Sequence, residues 1–180
     1  WVVDFGLQAT EEGGWERDLA DHVLAVNSAI DTVCEATGAQ VHLMGYSQGG
    51  MFAYQTTAYR YGKGVASIVT FGSPVDIVAG MPFGLPYGLV SEVADFLADH
   101  VMHRLPITES MVRVGFQMLD PVKTAKSRID FLLQLHDREA LLPKERQRRF
   151  LNSEGWVGYS GPAVADLLKQ FVAHNRMMLG

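Results

Sequence analysis

The 180-residue chain has a single cysteine, Cys34. No disulfide can form within it, nothing points to an oxidising compartment, and the cytoplasm is the expected location. No apolar run reaches the roughly 18 residues that a membrane span needs. The first residues lack the basic stretch and apolar run of a secretory leader. Basic residues are outnumbered, 15 against 20 acidic, giving a formal charge of −5 and a pI near 5.6. A nucleic-acid surface would need a basic stripe, so a nucleic-acid partner is not expected. The one basic cluster, Lys144, Arg146, Arg148 and Arg149, is interrupted by Glu145 and Gln147 and reads as a solvated helix face. Internal repeats and low-complexity tracts are missing too. What remains, 48% hydrophobic and 19% charged, is the make-up of one globular domain with a real core.

The order of elements then sets the class. Trp1 to Phe5 reads as the end of a buried strand closed by Gly6. Leu19, Val23, Val26, Ile30 and Val33 recur at helical spacing, with Gly38 placed to cap the helix. Val41 to Met44 is a short apolar run, fitting a strand covered on both faces. A turn from Gly45 to Gly50 leads into a helix from Met51 to Tyr61, and Val65 to Phe71 is a further strand closed by Gly72-Ser73-Pro74. Strand, helix, strand, helix, strand predicts a parallel α/β sheet. Beyond the Gly/Pro-punctuated stretch Gly80 to Gly88 only helical signals appear. Ser91 is placed to cap a helix carrying Val93, Phe96, Leu97 and Val101; Asp120-Pro121 opens another with Ala125, Ile129, Leu132 and Leu133. Pro143 opens a short charged helix, and Gly161-Pro162 begins one with Val164, Leu167, Leu168 and Phe171 inward. Three regions follow: an α/β core over 1–78, a helical lid insertion over 79–155, and a helix returning to the core over 156–180.

Gly45-Tyr46-Ser47-Gln48-Gly49 matches G-x-S-x-G. A serine on a sharp strand-to-helix turn has its hydroxyl held above the C-terminal edge of the sheet, where open α/β sheets bind ligands. Gly45 and Gly49, two before and two after the serine, are expected to leave room for the crossing strand and helix, where a Cβ would clash, with Gly50 also supporting the elbow. The Gln48 backbone N–H, at the positive end of the next helix, is placed as one donor of an oxyanion hole. The pentapeptide alone is a weak signal. Its flanks, an apolar strand before and a helix and second strand after, make it specific.

From Val2 to Asp76 the chain resembles the α/β-hydrolase family that contains the polyhydroxyalkanoate synthases, and most of all its serine-bearing relatives beside or fused to acyl-CoA synthetase modules. The likeness is carried by Val2-Val3-Asp4-Phe5-Gly6, Ala20-Asp21-His22-Val23, Gly45 to Gly50 and Thr70 to Asp76, with a weaker continuation through His136 to Leu141 and His174-Asn175-Arg176. It implies a partial α/β-hydrolase fold and a serine hydrolase acting on ester or thioester bonds of lipid-like acyl substrates, without a cofactor. An acyltransferase and a non-catalytic binding scaffold are the alternatives. The polymer synthases have cysteine where this chain has Ser47. A thiolate accepts and releases thioester acyl groups readily, whereas a serine favours hydrolysis or transfer to an alcohol. Cys34, inside a predicted helix, is no substitute. The resemblance also implies that the triad acid and histidine, and the second oxyanion donor, lie outside residues 1–180.

Within the chain, Asp76 follows the strand after the nucleophile helix, where some lipases carry their acid, and is the one internal candidate. His22 is expected with its partner face toward solvent, His42 at the far end of its strand. His100 and His103 share a helix at i, i+3 without a third ligand, so no metal site is expected. His136 and His174 read as core or rim residues. Methionines 81, 102, 111, 118, 177 and 178, with Phe83, Phe96 and Phe116, suit either a packed lid or an acyl-chain pocket.

Overall fold

The computed structural model describes residues 1–77, 79, 86–119, 121–145, 149 and 155–179. The expected loop from Gly80 to Gly88 lies outside these as far as Leu85, Met81 and Phe83 included, while its Tyr87 and Gly88 are helical; Arg146, Gln147 and Arg148 of the basic cluster and the side chains of Phe116 and Met118 lie outside too.

Helix α1 (Leu19–Thr37) follows from its two ends and one face. Asp18 accepts from the Asp21 N–H at 2.9 Å while Asp21 accepts from the Asp18 N–H at 3.0 Å, a reciprocal capping box. Gly38 exits at φ 66° and donates to the Cys34 carbonyl. Leu19, Val26 and Ile30 then share one cluster with Met51 and Phe52 of α2 (Gln48–Tyr59) and with Phe171. Val41 and Leu43 of strand β1 (Val41–Tyr46) and Val65 of β2 (Val65–Phe71) pack against the same cluster. Burying a side chain such as Ile30, 2% exposed, contributes about 1.5–3 kcal/mol.

The sheet among the described residues has two parallel strands, running from Val41↔Val65 to Tyr46↔Phe71 with one extra residue, Ala66, after the first pair. This is a mixed α/β architecture, narrower than the three strands expected. Residues 1–5 form no strand: they have no ladder partner among the described residues, and Trp1 and Val2 are 86% and 93% exposed. Nor is β1 covered on both faces. Because α1 and α2 share a single core, they cover the same face, and His42, Met44 and Tyr46 on the other face are exposed.

The chain divides into two compact units, one of residues 1–105 and 160–180, the other of residues 106–159. In the first, α3 (Tyr87–His100) begins at Pro86 rather than at Ser91, which lies inside the helix and donates its hydroxyl to the Ala173 carbonyl at 2.8 Å. The Tyr87 hydroxyl donates to the same carbonyl at 2.6 Å. These side chains face inward with Ala94 and Ala98, so Val93 and Phe96 are exposed, contrary to the expected face.

In the second unit, α4 (Glu109–Leu119) meets α5 (Pro121–Leu133) through Thr124 Oγ1, which donates to the Gln117 carbonyl, and Arg128, which donates to Gln117 Oε1. Pro121 opens α5 as expected, but Ile129, Leu132 and Leu133 are exposed. The unit's ends are joined by reciprocal backbone bonds between Ile107 and Tyr159. A short helix, α6 (Arg138–Leu141), precedes a 3₁₀ turn at Leu142–Lys144; beyond Pro143, Glu145 and Arg149 are helical, and the rest of the charged helix expected there lies outside the described residues.

Back in the first unit, Ser160 caps α7 (Gly161–Asp166), which widens into a π-helix over Leu167–Ala173, and α8 (Arg176–Leu179) closes the chain.

Candidate active site

Ser47 sits at the corner between β1 and α2 with φ 52° and ψ −119°. Its N–H completes the ladder by donating to the Phe71 carbonyl at 2.8 Å. Its own carbonyl accepts from Gly50 and Met51 N–H at 3.1 and 3.3 Å, opening the helix, and from Ser73 Oγ at 2.8 Å. The residue is therefore gripped by the strand on one side and the helix on the other, and its side chain is half-exposed. Gln48 is the first helical residue, so its N–H has no intrahelical acceptor and points to the serine's side of the corner.

The three glycines separate clearly. A Cβ on Gly45 would lie well under 3.0 Å from the backbone of Gly49 and Gly50. One on Gly50 would meet Ser73, with Ser73 Cβ at 2.9 Å, and Thr70 Cβ at 3.0 Å. A Cβ on Gly49 would meet nothing within 4 Å. The expectation that a side chain clashes at 49 is corrected: the crossings are β1 against α2 at Gly45 and α2 against β2 at Gly50.

The loop after β2 is tied to α2 twice. Besides the Ser73 bond, the Tyr54 hydroxyl donates to the Pro74 carbonyl at 2.5 Å. Burial pushes the Tyr54 phenol up to about 12. Neither contact was foreseen, because both join residues 20 or more apart and the sequence reads Ser73 only as part of the turn after β2 and Tyr54 only as part of a helix. Asp76, two residues on from Pro74, accepts from Asn175 Nδ2 at 3.1 Å and from the Ala79 N–H at 3.2 Å. Asn175 is 6% exposed and has φ 43°. The Asp76 carboxylate thus helps seat the turn that follows the π-helix.

The histidines divide among other partners. His22 is not turned to solvent: it is 7% exposed, stacked on Phe52 at 5.3 Å, and Nδ1 lies 2.6 Å from the Asp18 carbonyl. His42 is exposed, with Nδ1 2.7 Å from Ser67 Oγ. His100 stacks on Phe96, and His136 is exposed. His174 Nε2 lies 3.2 Å from Asp95 Oδ1. Among the described residues no three His, Cys, Asp or Glu side chains form a metal-binding group. No described helix is long and apolar enough to cross a membrane. A groove of about 720 Å³, lined by Phe5, Arg17, Asp21 and His22 among others, includes no residue of the serine corner.

No family model matches the chain, and no curated protein or solved structure matches it either.

Proposed function

We propose that the chain is the nucleophile-bearing part of a serine α/β-hydrolase that cleaves ester or thioester bonds of lipid-like acyl substrates. The observation that carries this is the backbone of Ser47, a non-glycine residue at φ 52° and ψ −119° on a strand-to-helix corner. Such a conformation costs on the order of 1–3 kcal/mol and persists where it serves a site. The corner is crossed so closely at Gly45 and Gly50 that side chains there would collide. A G-x-S-x-G sequence and the strained corner it would require coincide at one residue.

In this mechanism Ser47 Oγ attacks the acyl carbonyl, and the carbonyl carbon becomes tetrahedral. The Gln48 N–H donates to the oxyanion, aided by the N-terminal dipole of α2. Collapse expels the alcohol or thiol and leaves an acyl-Ser47 ester, which water then hydrolyses. As the resemblance implies, the general base and its orienting acid are taken to lie outside residues 1–180; His22, His42, His100 and His174 have other neighbours, and Asp76 is engaged with Asn175 and Ala79. A neighbouring acyl-CoA synthetase module would supply acyl thioesters.

The test is covalent labelling of the full-length protein with a fluorophosphonate, with Ser47→Ala as control and the modified residue found by peptide mass. Labelling confined to Ser47 is expected. Equal labelling of parent and variant removes Ser47 from the mechanism and favours a non-catalytic scaffold. Acyl-CoA turnover with and without a hydroxyacyl acceptor then separates hydrolysis from transfer, and polymer-length product would favour the acyltransferase.

A further inference from the structure

We propose that Ser73 is a positioning residue for the nucleophile, holding the Ser47 carbonyl so that the strained corner keeps its hydroxyl in one orientation. This rests on the hydrolase reading above and adds to it a residue outside the G-x-S-x-G motif.

The geometry is specific. Ser47 needs its peptide planes held in an unusual relation, and its N–H is already committed to the Phe71 carbonyl at 2.8 Å. On the carbonyl side, the two helical N–H groups of Gly50 and Met51 reach it at 3.1 and 3.3 Å, longer than the 2.8 Å from Ser73 Oγ. The hydroxyl makes the shortest of the three contacts. Its alternative acceptor, the Phe71 carbonyl, lies at 3.4 Å. The Ser73 side chain can reach this carbonyl because Gly50 has no Cβ; one there would lie 2.9 Å from Ser73 Cβ and closer still to Oγ. The loop that carries Ser73 is independently pinned by Tyr54, whose hydroxyl donates to the next residue's carbonyl. A small hydroxyl side chain at 73, a glycine at 50 and a tyrosine at 54 thus form one device, in which β2 fixes the backbone through which α2 presents Ser47.

A hydrogen bond that sets orientation acts on the rate of attack rather than on the affinity for the probe. In the full-length protein, the maximal rate constant of fluorophosphonate labelling should fall about tenfold in Ser73→Ala, the size one hydrogen bond supplies, with the half-saturating probe concentration unchanged. Ser73→Thr, which keeps the donor, should restore most of the rate. Circular dichroism and Tm verify that each variant is folded. A folded Ser73→Ala that labels at the parental rate, while Ser47→Ala does not label, overturns the positioning role and leaves the nucleophile standing. A loss in Ser73→Ala that Ser73→Thr shares fully overturns it also, since the hydroxyl would then not be what matters. If the parent labels no faster than Ser47→Ala, the nucleophile reading falls and takes this role with it.

Discussion

Replacing Gly45 and Gly49 separately by alanine tests the corner most directly, because the motif treats the two as equivalent and the structure does not. At Gly45 the added Cβ meets only backbone atoms of Gly49 and Gly50, which cannot rotate aside. Overpacking of this kind costs typically 1–3 kcal/mol, and a backbone obstacle belongs at the upper end. Alanine recovers about 0.5–1 kcal/mol by restricting the unfolded chain. The net expectation is a loss of about 2 kcal/mol, or about 4–8 °C in Tm for a chain of this size. At Gly49 the Cβ meets nothing within 4 Å, and the residue lies in α2. Alanine is favoured over glycine there by up to about 1 kcal/mol, so Tm should rise by about 1–3 °C. Thermal unfolding followed by circular dichroism measures both. Equal destabilisation by the two substitutions would refute the crossing geometry, and with it the distinction drawn between positions 45 and 49.

Four other outcomes follow from the contacts and surfaces described. Tyr54→Phe removes the donor to Pro74 and should cost about 1 kcal/mol; it should also remove one late tyrosine step, expected near 12, from an ultraviolet pH titration, leaving that of Tyr159, which burial also raises, and a parent lacking the step that Tyr54→Phe removes would contradict the burial of Tyr54. Hydrogen bonds from Arg60 and Lys169 hold the Asp31 and Asp99 carboxyls, respectively, below their usual 3.8. A lowered carboxyl stabilises the fold above its unfolded value and loses that contribution as pH falls through the depressed one, so Tm should be level from about pH 7 to 5 and decline below about 4. The double variant Asp31→Asn/Asp99→Asn should decline less, and an unchanged acid limb would sink the assignment. Arg60 also reaches the Asn27 side chain at 2.6 Å and the Lys63 carbonyl at 2.8 Å, so Arg60→Lys, which cannot make this fork, should lower Tm by about 2–4 °C. Finally, Met44 and Tyr46, 75% and 78% exposed on β1, make residues 1–180 alone prone to associate; Met44→Lys should lower the sedimentation-detected oligomer fraction.

How much of this could be read from the sequence depended on the range of the contacts. Helix α1 was legible because its apolar period, Asp18 with Asp21, and Gly38 are all local. The serine corner was legible for the same reason: strand, turn and helix are consecutive, and Ser47 falls at their junction. What failed was decided elsewhere in the chain. His22 looked solvent-facing until Phe5 and Phe52 closed on it. Residues 1–5 have the composition of a strand but no neighbour to pair with. Ser91 has the identity of a cap and the location of an interior residue, because its hydroxyl was wanted by Ala173 across the core. Ser73 was read as part of a turn and of the stretch that carries the likeness, but neither it nor Tyr54 carried a signal of these contacts, since a serine after a strand and a tyrosine in a helix are ordinary until they meet the same loop.

The conformation of Ser47 is the step that joins these parts. Among the described residues three non-glycine residues have positive φ: Ser47, Tyr61 and Asn175. Tyr61 follows the end of α2, and Asn175 follows the π-helix, two places where a chain leaving a helix commonly turns left-handed. Ser47 leads into a helix instead, and its ψ of −119° lies far from the left-handed well near +30 to +60°. No local motif rewards that geometry, so the surroundings must impose it. The imposing contacts are visible: Phe71 on its N–H, Ser73 on its carbonyl, and two glycines whose missing side chains let the strands and helix close. A turn that merely joined β1 to α2 would need none of them, and relaxing any one should release the corner before it unfolds the core.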